Sequence, residues 1–168
     1  MISHAGLIAR REGRDWRGAL ITGPSGSGKS DLMLRALNDG WRLVADDRVL
    51  LWISGGRLFG RAPASLAGLM ELRGLGVWPI SPLAFAEVAL LALCVGPARI
   101  ERMPDPQFES LLGLPIPSVR LTALEASAPA KLAQALTRLG VPAQPSYLPC
   151  GAGWGSSGRG RGPVSSIE

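Results

Sequence analysis

One eight-residue segment restricts the fold of this chain more than any other feature. Residues 23–30, GPSGSGKS, fit the pattern G-x-x-x-x-G-K-[ST] in full. An apolar stretch, residues 18–22, leads into this segment, and leucines and alanines at helical spacing follow it as far as Gly40. A strand, a glycine-rich loop and a helix in this order predict an α/β domain that binds phosphate groups.

The residues of this loop have distinct chemical tasks. Glycines let successive backbone N–H groups converge on phosphate oxygens, and the N-terminus of the following helix adds partial positive charge. Lys29 is expected to contact the terminal phosphates, and the Ser30 hydroxyl to ligate Mg²⁺. An ordinary glycine turn before a helix is the alternative interpretation. We expect nucleotide contacts along the whole loop, from Gly23, Pro24, Ser25, Gly26, Ser27, Gly28, Lys29 and Ser30.

The composition is that of a compact domain with a positive net charge. The chain has 168 residues, of which 46% are hydrophobic and 18% charged, so we expect one domain with a buried core. The net charge of +5 suits an anionic partner, but the arginines are mostly single residues beside acids, and aromatic residues make up only 5%. We therefore expect no nucleic-acid partner.

The sequence also argues against a disulfide framework and against an export or membrane segment. It contains two cysteines, Cys94 and Cys150, and it does not start with a basic region followed by an apolar stretch. The apolar residues 75–98 are interrupted by Pro79, Pro82 and Glu87, which leaves pieces too short to span a bilayer. These features predict a cytoplasmic protein that does not enter a membrane.

We expect the chain to divide into a folded domain, residues 1–140, and a tail, residues 141–168. The tail is rich in Gly, Pro and Ser and is predicted to be disordered. Within the domain we predict a helix ended by Gly140, a polar turn at residues 10–17 and a polar loop at residues 99–106. That helix spans residues 128–139, and strands are predicted at 3–9, 18–23, 41–45, 49–53, 59–62, 66–72, 88–95 and, as an edge strand with prolines, 115–121.

Two adjacent acids follow a predicted strand. Asp46 and Asp47 come directly after residues 41–45, and we expect that strand to lie beside the strand that leads into the phosphate loop. Because adjacent strand residues point in opposite directions, only one of the two carboxylates should face the phosphate groups. A turn-forming or capping role for the pair is the alternative.

Two further side chains are candidates for a site. Glu71 and Arg73 alternate with apolar residues, and Gly74 and Gly76 after them are expected to allow close backbone approach. A surface ion pair between Glu71 and Arg73 is the alternative. His4 is the only histidine, and a solvated or structural role is the alternative for it.

Several segments taken together resemble the catalytic domain of the bacterial HPr kinase/phosphorylase family. They are the loop at residues 23–30, GWRLVADDRV at residues 40–49 and MELRGLG at residues 70–76, with LPIP at residues 114–117 similar to a late strand region. The resemblance covers residues 3–125 and implies a single α/β domain of the HPr kinase/PEP carboxykinase-like type. This fold has a mixed β-sheet with flanking helices. We expect the chain to be a short form of the family.

The same resemblance implies roles for individual residues. Asp46 matches the proton acceptor, and Lys29 and Ser30 match the contacts to ATP and Mg²⁺. Glu71 matches a second metal ligand, and His4 precedes the loop as the family's active-site histidine does. Arg102 is the candidate for a later active-site arginine, and it completes the set of expected catalytic residues Asp46, Lys29, His4 and Arg102.

The resemblance implies a protein-serine kinase. It would transfer the γ-phosphoryl group of ATP to a serine of HPr, or of a related phosphocarrier of the phosphotransferase system. The resemblance also implies phosphorolysis, in which inorganic phosphate attacks phosphoserine and pyrophosphate forms. The long members form homo-oligomers, so a homo-oligomer is a further expectation. Two alternatives are a kinase of small metabolites, for which Arg57 and Arg61 are too few to form an arginine lid, and a switch that binds ATP without transferring phosphate.

Overall fold

The computed structural model describes residues 1–140, and the predicted tail lies outside them. These residues form eleven strands and two helices, together with 3₁₀ turns at Ala64–Leu66 and Pro97–Arg99. In chain order the elements are β1 (Ile2–His4), β2 (Gly6–Glu12), β3 (Asp15–Thr22), α1 (Lys29–Asn38), β4 (Arg42–Ala45), β5 (Arg48–Ser54), β6 (Arg57–Arg61), β7 (Leu69–Leu72), β8 (Gly76–Pro79), β9 (Ala86–Cys94), β10 (Gln107–Leu111), β11 (Leu114–Leu121) and α2 (Ala128–Leu139).

Nine of the strands form one mixed sheet. Its order is β1-β5-β6-β9-β3-β2-β4, while β11 joins β9 and β10 joins β11. Strands β3, β9 and β11 run parallel to one another, and the other pairings are antiparallel. Strands β7 and β8 form a separate two-stranded ribbon. The α/β class and the mixed sheet predicted from the sequence are therefore confirmed.

The central strands are buried on both faces. Because side chains alternate along a strand, Ile8 and Ile21 face one apolar cluster that also contains residues from both helices. Leu7 and Leu20 face a second cluster with residues of β4, β5 and β6, which the curled sheet closes over. This two-sided burial explains why β3 and β9 read as nearly continuous apolar runs.

The two helices have the predicted positions. Helix α2 occupies residues 128–139 and buries one stripe of side chains, including Leu132 and Leu136, against the sheet. Helix α1 starts at Lys29, directly after the glycine-rich loop, and packs against α2. Neither helix of the described residues has the length and apolar character needed to cross a membrane.

The N-terminal strands differ from the prediction. The apolar run 3–9 is split at Ala5, because β1 pairs with β5 while β2 pairs with β3. The polar segment 10–17 is mostly strand, and its turn is confined to Gly13 and Arg14. Arg17, predicted to lie in that solvated turn, is 6% exposed and pairs in the ladder opposite Glu87 of β9. Cross-strand pairing therefore overrides the local polarity of this segment.

Strand β11 lies inside the sheet rather than at its edge. Residues 118–121 pair in parallel with β9, and residues 114–118 pair antiparallel with β10. Pro115 and Pro117 occur in the half that pairs with β10 alone, where a missing N–H disrupts only one ladder. The edge prediction for this strand is therefore wrong, although the prolines occupy its less-paired half.

Candidate active site

The predicted phosphate loop connects β3 to α1 and is enclosed by two other segments. Gly23 has a φ of 147°, and a Cβ added there would lie 2.6 Å from the Cys94 carbonyl oxygen at the end of β9. A Cβ added at Gly28, where φ is 89°, would lie 2.7 Å from Cδ2 of Leu124, which follows β11. Both positions need glycine, for backbone conformation and for space. The ends of β9 and β11 therefore determine the shape of the loop.

The loop and the first turn of α1 present backbone donors and one ammonium group. The Leu32 N–H makes the first helical hydrogen bond, to the Gly28 carbonyl oxygen at 2.9 Å, so the N–H groups just before it have no acceptor within the helix. Lys29 Nζ donates to the carbonyl oxygens of Gly23 and Pro24 at 2.9 and 3.0 Å. An anion at this helix N-terminus would meet these N–H dipoles and the ammonium group together.

The eight residues predicted to contact a nucleotide lie in one continuous segment. Pro24, Ser25 and Gly26 are exposed, whereas the loop residues that flank them are partly buried. The Ser27 hydroxyl oxygen is buried and has no hydrogen-bond partner within residues 1–140. Ser30 is partly buried in the first turn of α1. The exposed tip and the helix start are the parts of the loop that a ligand can reach directly.

The acid pair lies at the same edge of the sheet as the phosphate loop. Strand β2 pairs antiparallel with β3 on one side, where Gly6 is opposite Ile21, and with β4 on the other, where Leu7 is opposite Ala45. Strands β3 and β4 therefore run in the same direction and end on either side of the start of β2. Two strand spacings separate their ends by roughly 10 Å. The prediction that the two strands are direct neighbours is wrong, because β2 lies between them.

Asp46 and Asp47 form the turn between β4 and β5 and differ in environment. The Arg48 N–H donates to the Asp46 carbonyl oxygen at 2.7 Å, and Asp47 has a positive φ of 64°. Asp46 is 9% exposed, whereas the Asp47 side chain is 60% exposed. The turn-forming role is therefore present, and this turn separates a buried carboxyl group from an exposed one.

The buried carboxyl group of Asp46 is held by the strand that carries Glu71. The Glu71 N–H donates to Asp46 Oδ2 at 3.1 Å. Burial raises the pKa of Asp46, this hydrogen bond opposes the rise, and the negative charge of Asp47 adds to it. Asp46 therefore holds a proton more readily than a surface aspartate does.

His4 contacts the exposed member of the acid pair. Strand β1 pairs with β5 so that His4 is opposite Arg48, and this places His4 Nδ1 3.2 Å from Asp47 Oδ1. Both side chains are mostly exposed. The histidine singled out in the sequence is thus joined to the acid pair through Asp47 rather than through Asp46. Sequence reasoning did not predict this contact, because it depends on pairing between distant strands.

Glu71 lies on the separate β7–β8 ribbon. Its side chain is exposed while that of Met70 is buried, as the predicted alternation requires. Gly74 and Gly76 have φ values of 86° and 91°, and nothing lies within 4 Å of a Cβ added at either position. These glycines therefore serve the turn conformation, and no other part of residues 1–140 approaches them closely.

A cleft of about 530 Å³ opens beside the start of the phosphate loop. Burial raises the pKa of the Cys94 thiol in this cleft to about 11, despite the opposing charge of Lys29. That thiol is therefore protonated at neutral pH. The residues around the cleft include Gly23, Pro24, Cys94 and three charged side chains, Arg99, Glu101 and Arg120.

The arginines of the cleft differ from the one expected. Arg102 lies in the exposed loop after the second 3₁₀ turn, next to Glu101, and it does not line the cleft. Arg99 and Arg120 do line it, and Arg120 Nη1 is 3.7 Å from Glu101 Oε1. Arg120 could not be found from local sequence, because its position depends on the parallel pairing of β11 with β9.

The oxygen donors singled out from the sequence suit a hard cation that arrives with phosphate groups. The donors singled out are the Ser30 hydroxyl and the carboxylate of Glu71, while Asp46 adds a buried carboxyl group. Within residues 1–140 no three His, Cys, Asp or Glu side chains are grouped closely enough to hold a metal ion. Mg²⁺ usually keeps several waters and binds one or two carboxylates together with substrate phosphates. The donor set therefore fits Mg²⁺ and does not resemble a metal cage made by protein alone.

One family model matches the chain. It is described as the HPr Serine kinase C-terminal domain, and it matches residues 16–89. The matched segment contains the phosphate loop, the acid pair and Glu71, while His4 and Arg102 lie outside it.

Curated relatives named HPr kinase/phosphorylase support this match. The relative from Leptothrix cholodnii is 40% identical over 116 residues, which cover 61% of this chain and 35% of the relative. The relative from Variovorax paradoxus is 37% identical over 135 residues, which cover 72% of this chain and 42% of the relative. The chain therefore spans less than half the length of these relatives.

A solved structure has the same fold. The Hpr(Ser) kinase/phosphatase from Coxiella burnetii matches with a TM-score of 0.70 and 26% sequence identity, over 83% of this chain and 89% of that chain. This match confirms the α/β fold with a mixed sheet that the sequence resemblance implied, and the sheet is curled and carries few helices.

Proposed function

Because the chain carries an HPr serine kinase C-terminal domain, we propose that it is an ATP-dependent protein-serine kinase whose substrate is HPr or a related phosphocarrier of the phosphotransferase system. The observation that carries the proposal is that a phosphate-binding loop and a buried carboxyl group lie at the same edge of the sheet. The phosphate loop follows β3, and the buried carboxyl group of Asp46 follows β4, roughly 10 Å away across one intervening strand. This separation leaves room for the terminal phosphate and an attacking hydroxyl group between them.

The phosphate loop would hold the nucleotide. The N–H groups at the start of α1 and Lys29 Nζ would donate to phosphate oxygens, and Lys29 would exchange its bonds to Gly23 and Pro24 for bonds to phosphate. Ser30 and Glu71 would hold Mg²⁺, which when bound neutralises charge on the phosphates. Positioning and electrostatic stabilisation supply most of the catalysis in phosphoryl transfer.

Asp46 would accept the proton of the acceptor serine as its hydroxyl oxygen attacks the γ-phosphorus. Burial raises the pKa of Asp46, which makes the carboxylate a stronger base than a surface aspartate. In a second reaction, dephosphorylation, an oxygen of inorganic phosphate would attack the phosphorus of phosphoserine. The bond from phosphorus to the serine oxygen would break, pyrophosphate would form, and protonated Asp46 would return the proton to the serine oxygen. The same raised pKa favours the protonated form that this second reaction needs.

The other members of the expected set would act around this reaction. His4 would influence the acid pair through Asp47, to which its Nδ1 is close. Arg102 would reach the phosphates from the loop that borders the cleft, beside Arg99, which already lines it. Such a substrate would place the protein in the cytoplasm, and a homo-oligomer remains part of the proposal. Residues 1–140 offer no feature that favours nucleic acid as a partner.

One experiment separates this proposal from the two alternatives. The protein is incubated with ATP labelled at the γ-phosphate and with purified HPr, and then the label is located. Label on a serine of HPr is the expected result. Label on a small molecule would favour a metabolite kinase, and binding of ATP with no transfer would favour a switch; either result would overturn the proposed function.

A further inference from the structure

An exposed apolar side chain rests directly on the proposed nucleotide loop. Leu124 is 67% exposed, yet its Cδ2 atom is so close to Gly28 that a Cβ added there would lie 2.7 Å away. Ala123, the buried residue before it, also borders Gly28, at 3.3 Å from the same added Cβ. An apolar surface open to solvent is thus placed at the start of α1, next to the donors for phosphate.

The segment that carries Leu124 is held firmly to α1. Arg35 of α1 donates from Nη1 to the Glu125 carbonyl oxygen at 3.0 Å and from Nη2 to the Ala123 carbonyl oxygen. Arg35 Nε also donates to Asp31 Oδ2 at 2.9 Å, which fixes the orientation of the guanidinium group. Hydrogen bonds on both sides of Leu124 therefore hold its backbone in one position relative to the phosphate loop.

The sheet places this segment where the rest of a nucleotide must extend. Strands β3, β9 and β11 are parallel, so their carboxyl ends meet at one edge of the sheet. The phosphate loop follows β3, and Leu124 follows β11, two strands away. Ligands of open α/β sheets bind in the crevice outside these carboxyl ends. The acid turn that follows β4 lies on the other side of the loop, so the γ-phosphate and the nucleoside would extend in opposite directions.

We infer that Leu124 forms an apolar contact with the nucleoside of the bound nucleotide and so distinguishes a nucleoside triphosphate from a bare polyphosphate. The inference rests on the proposed function, because it takes the loop at residues 23–30 as the phosphate site. Leu124 contacts the part of the ligand that carries no charge, and burying its exposed apolar surface against that part strengthens binding. Arg35 acts as a positioning residue for this contact.

The test compares two ligands and four variants in the whole protein by calorimetry. ATP and inorganic tripolyphosphate are each titrated with Mg²⁺ present. We expect Leu124→Ser to weaken ATP binding about tenfold and to change tripolyphosphate binding less than twofold, since only the first ligand has a nucleoside. Leu124→Met, which keeps an apolar side chain of similar size, should restore most of the ATP affinity. Leu139→Ala, at another exposed leucine, at the far end of α2, should bind both ligands as the original protein does.

The possible outcomes separate this inference from the proposed function. If Leu124→Ser lowers the affinity for both ligands equally, or lowers neither, the inferred contact between Leu124 and the nucleoside is wrong. Lys29→Ala serves as the reference, because it removes a hydrogen-bond donor to phosphate and should weaken the binding of both ligands. If Lys29→Ala binds both ligands normally, or if the original protein does not bind ATP, the proposed function fails and the inference fails with it. Thermal unfolding of each variant checks that the fold is retained.

Discussion

The phosphate loop and the acid turn each follow a strand at the same edge of the sheet, but they are held in different ways. The loop is enclosed, because Gly23 lies against the backbone of Cys94 and Gly28 lies against Leu124. At the acid turn, the buried carboxyl group of Asp46 accepts one backbone hydrogen bond, from Glu71, and the second carboxylate, on Asp47, is exposed. An enclosed loop suits a small nucleotide, whereas a protein substrate needs an open surface. The phosphate loop and the acid turn, the two halves of the proposed site, should therefore respond differently to mutation.

The largest expected effect concerns the acid turn. Asp46→Asn should lower phosphoryl transfer to HPr about a thousandfold, because an amide cannot accept the proton, while the ATP dissociation constant changes less than about threefold. Asp47→Asn is the matched control, and we expect a loss of about tenfold or less because this carboxylate is exposed. Single-turnover rates and calorimetry measure the two quantities. A greater loss of transfer rate in Asp47→Asn than in Asp46→Asn would instead assign the role of general base to the pair of Asp47 and His4.

The next effect concerns the phosphate loop. Lys29→Ala should weaken ATP binding about a hundredfold, since it removes the ammonium group that lies over the start of the loop. Lys131→Ala is the matched control at the only other lysine, which pairs with Glu125 on the surface, and it should leave ATP affinity within about twofold. Equal affinities for the two variants would remove the loop from the proposal.

A third comparison concerns stability. Gly23→Ala should lower the free energy of unfolding by about 3 kcal/mol, because the added Cβ meets the Cys94 carbonyl group and φ is positive. Gly74→Ala in the β7–β8 ribbon also has positive φ but has open space around it, so its loss should be about 1 kcal/mol. Urea unfolding gives both values. Equal losses would contradict the difference between an enclosed and an open turn.

The smallest effect is a dependence of stability on pH. The pKa of Asp46 is raised in the folded state, so the stability that its protonated form contributes is complete below about pH 4 and is lost as the pH rises through the raised pKa. Asp46→Asn does not titrate and keeps an oxygen for the Glu71 N–H. We therefore expect the original protein to lose stability relative to this variant as the pH rises from about 4 through the raised pKa of Asp46. A difference in urea unfolding between the two proteins that does not change with pH would contradict a raised pKa of Asp46 in the folded state.

The two halves also differ in how far the sequence predicts them. The phosphate loop is a contiguous segment between a strand and a helix, so local pattern alone identified its elements and its lysine. The contact between His4 and Asp47 depends on the pairing of β1 with β5, and the hydrogen bond to Asp46 comes from Glu71 on a separate ribbon. These contacts arise from tertiary structure, which no local pattern contains.

The errors in the strand predictions have the same origin. Proline content suggested an edge position for β11, but its second half is paired with β9, which is distant in the chain. Charge suggested a solvated turn around Arg17, but the ladder with β9 buries that residue. In both cases a long-range partner decided the outcome, and β9 is that partner.

Strand β9 also has a consequence for the order in which the chain can fold. It bridges three strands, with β6 at its start, β3 along its length and β11 at its end. Parallel pairing of β3 with β9 must close a loop of more than sixty residues, which makes it a slow, non-local step. The carbonyl group against which Gly23 packs belongs to Cys94, the last residue of β9. We therefore expect the phosphate loop, the segment that is easiest to recognise in the sequence, to acquire its enclosed shape only once β9 has paired with β3, after synthesis has passed residue 94.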